Sequence, residues 1–136
     1  KLKRNGVALT TFYGRGWQYE KSGPMQIFRF QTPEFRDWRV MVGRGELEVV
    51  NLTDASRSAM IRIVALSPAG PKRVVAGSKS FEFAGTRMQS WDIGPVVVQP
   101  GLSVIALDDV LRDRAQYPLL VASVEIRPSE EPVAAP

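Results

Sequence analysis

A chain of 136 residues, 44% hydrophobic and 24% charged, has the composition of one globular domain large enough to bury a core without covalent staples. It contains no histidine and no cysteine, which excludes Ser-His-Asp and Cys-His nucleophile systems, a disulfide framework and the imidazole and thiolate ligands that zinc favours. The net charge of +4 comes from 18 basic against 14 acidic residues, but the arginines are scattered rather than gathered into the stripe of a nucleic-acid footprint, so no nucleic-acid partner is expected.

The chain opens Lys-Leu-Lys-Arg-Asn-Gly without an initiating Met or an apolar leader behind the charges, and reads as part of a longer or processed protein. Val7 to Tyr13 is rich in strand formers. Gln26 to Gln31 offers Phe28 and Phe30 to one face, and Trp38, Val40 and Val42 alternate with Arg39 and Met41. Gly45 to Leu52 sets Leu47 and Val49 opposite Glu46 and Glu48, the pattern of a half-buried strand. After the polar turn Thr53 to Arg57, Ser58 to Leu66 places Ile61, Ile63 and Ala65 on one side and Met60, Arg62 and Val64 on the other. These two strands pair as a hairpin or as neighbours across a sandwich.

Lys72 to Ala76 and Ser80 to Ala84 flank a tight turn at Gly77-Ser78-Lys79 that carries Phe81 and Phe83 into the core. Thr86 to Ile93 holds Trp91. Val96 then runs to Leu107 through Pro100-Gly101, a pair suited to the centre of a type II turn. Asp108 to Gln116 is the one expected helical turn. Leu119 to Arg127 closes the domain, with Leu120, Ala122, Val124 and Ile126 expected inward and Ser123, Glu125 and Arg127 outward.

Nine or ten short strands with turn signals between them, and at most one short helical turn, predict an all-β fold: a two-sheet antiparallel β-sandwich, jelly-roll-like, over residues 1–128. Residues 129–136, Ser-Glu-Glu-Pro-Val-Ala-Ala-Pro, are expected to be a flexible tail or linker. No run of about 18 apolar residues occurs, so no direct membrane insertion is expected.

The densest cluster of chemistry is Tyr13, Trp17, Tyr19 and Glu20. Flat rings stack on the apolar face of a sugar while a carboxylate and an arginine bond its hydroxyls; the competing reading makes Trp17 a plug for the core and Glu20 a partner of a nearby arginine. In an extended segment Trp17 and Tyr19 share a face and Glu20 looks away. Trp38 and Arg39 point to opposite faces of a strand, and Trp91 with Asp92 does the same. Asp108, Asp109 and Asp113 suit either calcium or the cap of a helical turn. Glu46 and Glu48 sit side by side without a cleft, which argues against glycosidase work. Asn51-Leu52-Thr53 matches a glycosylation sequon. Gly14-Arg15-Gly16 and Gly43-Arg44-Gly45 look phosphate-friendly but read as turns. No cofactor and no metal are expected.

Gly16-Trp17, Tyr19 and Glu20, then Arg39-Val40-Met41, then Glu46-Leu47-Glu48-Val49-Val50-Asn51 resemble the accessory β-sandwich domains of bacterial membrane glycosyltransferases and related envelope proteins. Val98-Gln99-Pro100-Gly101 and the strand after it look like the same stretch of carbohydrate-binding-module-like jelly rolls, and Leu119 to Arg127 like their closing strand. Two departures stand out: Gln18 separates Trp17 from Tyr19, and Val40 replaces a second tryptophan. The resemblance implies a galactose-binding-like sandwich, extracytoplasmic or in the cell envelope, serving as a non-catalytic accessory domain. It implies weak carbohydrate binding through Trp17, Tyr19, Glu20 and Arg39, with glycan as the partner. The alternative is a structural or protein–protein interaction module that binds no glycan and contacts a protein partner or the rest of a parent membrane protein.

Overall fold

The computed structural model describes residues 8–22, 36–68, 71–84, 87–110 and 118–129. Ten strands run through them: β1 (Leu9–Tyr13), β2 (Trp17–Ser22), β3 (Arg36–Met41), β4 (Arg44–Asn51), β5 (Arg57–Leu66), β6 (Lys72–Ala76), β7 (Lys79–Phe83), β8 (Gln89–Val98), β9 (Gly101–Asp109) and β10 (Leu119–Pro128). They form two five-stranded sheets, ordered β1-β4-β9-β6-β7 and β2-β3-β10-β5-β8. All neighbouring strands are antiparallel. From β3 onward the chain changes sheet at every connection except the β6–β7 hairpin, which is the winding of a jelly roll. β4 and β5 therefore lie in opposite sheets instead of forming a hairpin.

There is no helix among the described residues. Asp108 and Asp109 end strand β9 rather than opening a helical turn; residues 111–116 of that expected turn, the expected Gln26–Gln31 strand and residues 130–136 of the expected tail lie outside the described residues. Strand β2, which the sequence pattern left undecided between loop and strand, pairs with β3 over its whole length.

The core follows from period-2 alternation. Leu47 and Val49 of β4, Ile61 and Ile63 of β5, Phe83 of β7 and Leu107 of β9 all turn into the space between the sheets and are buried, which takes apolar surface out of water at about 25 cal/mol per Å². The β6–β7 loop is two residues long, with Gly77 at φ 62°, so the conformation is one that glycine adopts without cost. Phe81 stacks on Trp91 at 5.9 Å between ring centroids, and Phe83 meets Phe81 edge-on at 4.8 Å. Gly101 has φ 92°, the sign a type II turn needs after Pro100.

Strand β10 departs from its expected alternation. A register shift between Val121 and Ser123 inserts one residue against β5 and resets which side chains face inward. Leu119 and Val121 enter the core before the shift, Val124 and Ile126 after it. Leu120 and Ala122, expected inward, instead join a second cluster with Trp38, Val40, Leu66 and Met88. In each strand these residues alternate with core residues, so the second cluster lies on the face of the β2-β3-β10-β5-β8 sheet turned away from the other sheet.

Two buried polar groups brace the connections. Asn51, at the end of β4, donates from its amide nitrogen to Ala55 O and Val98 O, both at 2.9 Å, and its oxygen accepts from the Thr53 amide at 2.9 Å and the Thr53 hydroxyl at 2.7 Å. This arrangement shapes the β4–β5 crossing and ties it to β8. Lys72 of β6 and Asp109 of β9 form an ion pair at 2.7 Å with side chains only 2% and 0% exposed. It lies where β6 meets β9, through a ladder of only two residue pairs, Val74 with Asp109 and Val75 with Asp108.

Candidate functional site

β1 and β2 are the edge strands of their respective sheets and lie on the same side of the sandwich. Gly14-Arg15-Gly16 joins them. The Gly14 amide donates to Glu46 O at 2.7 Å and the Glu46 amide to Arg15 O at 2.9 Å, which presses the turn against β4. Gly16 has φ 93°, and a β-carbon there would stand 2.4 Å from Arg44 O, so this glycine is set by close backbone approach and not by a phosphate.

The turn delivers Trp17 onto the inner face of β2. Its indole N–H donates to Glu46 O at 2.8 Å, and its ring covers Gly45 so closely that a β-carbon there would come within 2.7 Å. Half-buried and packed on the core, Trp17 closes this end of the sandwich. Tyr13, from the inner face of β1, meets it edge-on with centroids 5.1 Å apart.

Ladder pairing puts Tyr19 opposite Arg39 and Trp17 opposite Met41, all on the inner face. The Arg39 guanidinium carbon lies 5.1 Å from the Tyr13 centroid and 5.1 Å from the Tyr19 centroid, a cation held by two tyrosine rings, one from each sheet. Tyr19 is 54% exposed. Trp17 and Tyr19 thus share a face, as extended geometry requires, yet differ in burial because Tyr19 lies two residues farther along the rim. Its hydroxyl bonds to the Asp37 carboxylate, and this bond, chiefly, raises its pKa above 10.0. Burial raises that of Tyr13, with Arg39 pulling the other way.

The structure therefore brings together Trp17, Tyr19 and Arg39 of the expected set with Tyr13 of the same aromatic cluster, and adds Asp37, which the sequence reading did not single out. Asp37 precedes Arg39 by two residues, the strand spacing that puts both on one face, and that spacing was the available signal. Glu20 does not join them. It pairs with Trp38 in the ladder, so it belongs to the outer face together with the second cluster.

The other candidates resolve into structural roles. Trp38 is 1% exposed in the second cluster, under the Arg36 guanidinium at 5.8 Å. Trp91 is core, while Asp92 stands at the surface in a two-point pair with Arg62 at 2.9 and 3.3 Å; the Arg62 hydrogen bond is the main reason the Asp92 carboxyl sits below 3.8. Asp108 faces Arg44, and Asp109 faces Lys72. Among the described residues no group of three or more acidic side chains is arranged to hold a metal ion. Glu46 lies 3.7 Å from Arg44 on the outer sheet face, and Glu48 is beside it. Both amide hydrogens of Asn51 are committed to carbonyls and the residue is buried, which removes the sequon from chemistry. A cleft of about 740 Å³ opens at the opposite rim, beside the β6–β7 turn, β8 and β9, and is lined largely by Val75, Ile93, Val96, Val104 and Ile105. None of the expected site residues reaches it.

No protein-family model and no curated protein matches the chain. Among solved structures it is similar to TmCBM61, a carbohydrate-binding module solved in complex with beta-1,4-galactotriose. The two share 11% identity over 93% of this chain and 94% of the other, with a TM-score of 0.44, a likeness too distant to carry an argument about ligand or site.

Proposed function

We propose that the chain is a non-catalytic accessory domain that binds glycan weakly at the β1–β2 rim, in an extracytoplasmic protein of the bacterial cell envelope. One observation supports the binding reading: an exposed tyrosine, Tyr19, beside an arginine held between two tyrosine rings, on a rim braced by Trp17. An open aromatic face stacks on the C–H face of a sugar ring, and fixed polar groups next to it orient the hydroxyls. The site stands on edge strands of a rigid sandwich, so it is formed before ligand arrives. The test is titration calorimetry against a panel of neutral and acidic cell-wall oligosaccharides. Binding should appear with at least one, and Tyr19→Ala should weaken it by about tenfold; flat titrations across the panel, with the parent chain folded, overturn the reading.

A protein-interaction role is favoured by a different surface. Leu102 and Val104 of β9 are 61% and 52% exposed, with Phe12 of β1 on the same outer face. β6 pairs with β9 only at Asp108 and Asp109, so among the described residues the rest of that β9 edge is open. An open edge with apolar flanks pairs with another strand, and this reading predicts concentration-dependent self-association that Val104→Lys abolishes. A chain that stays monomeric at every concentration in light scattering removes it.

A further inference from the structure

We infer that Arg39 anchors a carboxylate carried by the sugar, so that the glycan taken at the β1–β2 rim is an acidic one, a uronate-containing saccharide; the inference rests on the glycan reading above. Three arginines elsewhere on the sandwich spend their charge locally: Arg44 on Asp108 and Glu46, Arg62 on Asp92, Arg73 on Glu82. Arg39 is half-buried, and its contacts among the described residues are the two tyrosine rings. A guanidinium partly withdrawn from water without a counter-ion is costly unless something supplies one.

The rings also decide which part of the group is available. Aromatic rings hold the guanidinium through its π-face, and the N–H donors at its edge keep the planar fork that fits a carboxylate with two parallel hydrogen bonds. Asp37, two residues before Arg39 and so on the same strand face, accepts from the Tyr19 hydroxyl. That bond fixes the Tyr19 ring and leaves the fork of Arg39 unspent. Tyr19, 54% exposed, then offers a stacking surface next to the fork, which is the pairing of groups found on a pyranose that carries a carboxylate. A flexible acidic peptide would use the fork and leave the ring idle.

The experiment compares tetragalacturonate with its fully methyl-esterified form, the same backbone with the charge masked, by calorimetry at low and at raised salt. The free acid should bind about tenfold more tightly, as a charge-assisted bidentate contact implies, and its advantage should shrink as salt rises. Arg39→Gln should bring acid and ester to the same affinity, and Arg39→Lys, which keeps charge without the fork, should retain only part of the difference. If either variant fails to fold, the acid–ester difference and its salt dependence in the parent chain decide alone. Equal binding of acid and ester overturns the inference while leaving the glycan reading in place, whereas silence from both, with the rest of the oligosaccharide panel flat, brings down the two together. A hexa-aspartate peptide that binds as tightly as tetragalacturonate overturns it in favour of protein acids.

Discussion

The Lys72–Asp109 pair gives the sharpest test of how the sandwich is held together. Lys72→Met keeps an unbranched stem of similar size and removes the ammonium, leaving the Asp109 carboxylate in a position with 0% side-chain exposure. Breaking a buried ion pair by removing one partner costs about 3–5 kcal/mol, and the lower end, about 3 kcal/mol, is expected because Asp109 keeps a further interaction and lies at the end of β9. In urea, with a slope of roughly 2 kcal/mol per M for a domain of this size, the midpoint followed by tryptophan fluorescence should fall by about 1.5 M. Adding Asp109→Leu removes the buried carboxylate as well, and the double variant should return to within about 1 kcal/mol of the parent, because an apolar pair replaces a buried ion pair at little net cost. Since only two ladder pairs join β6 to β9, the Lys72→Met lesion should also be local, with the β6–β7 amides exchanging hydrogen faster before those of β4. A loss under about 1 kcal/mol, or a double variant no better than the single one, would refute the claim that this pair is buried and coupled.

Asn51→Ala removes four hydrogen bonds at the β4–β5 crossing and leaves the Val98 carbonyl without its donor. At about 1 kcal/mol for each bond lost, stability should drop by about 2–4 kcal/mol in the same urea assay, and a drop within error of zero would mean that the crossing is held by other contacts. Tyr19 should ionise above 10.0 in an absorbance titration at alkaline pH, and Asp37→Asn should lower its midpoint toward that value by weakening the bond that raises it. The sign follows from a raised folded-state pKa: the contribution to stability is present below the ordinary phenol value and is lost as pH rises through the raised one. A Tyr19 midpoint unmoved by Asp37→Asn would show that the hydroxyl is not held there.

How much of this was legible in the residues depended on whether alternation was broken. Gly45 to Leu52 and Ser58 to Leu66 carry clean period-2 patterns, and both strands were read with their correct faces. Leu119-Leu120-Val121-Ala122 is apolar at every position, so nothing in it marks the bulge that sends Leu120 to the opposite face. Trp38 and Val40 share a face, as their spacing requires, and are buried in the outer cluster; a strand pattern tells which residues share a face and not which face meets the other sheet. The candidate site was legible as a set of residue types. Tyr13 and Arg39 meet because β1 and β2 are edges on the same side of the sandwich, a tertiary fact absent from local sequence. Glu20 fell out by the same alternation that kept Tyr19 in. Asp108 and Asp109, taken together for a helical cap or a calcium site, instead alternate along β9 and serve two different cations.

The place of β10 in its sheet bears on how the domain comes into being. The last strand in sequence lies between β3 and β5, so until it arrives β3 has only β2 beside it and β5 only β8. A nascent chain emerging from the ribosome can form the sheet of β4 and β9 while the opposite sheet still stands as two separate pieces. Closure of the core waits for the synthesis of Leu119 to Pro128, a long-range event of the kind that slows folding, and the apolar inner face of β5 and the Trp38–Val40 face of β3 are what a chaperone would meet in the interval.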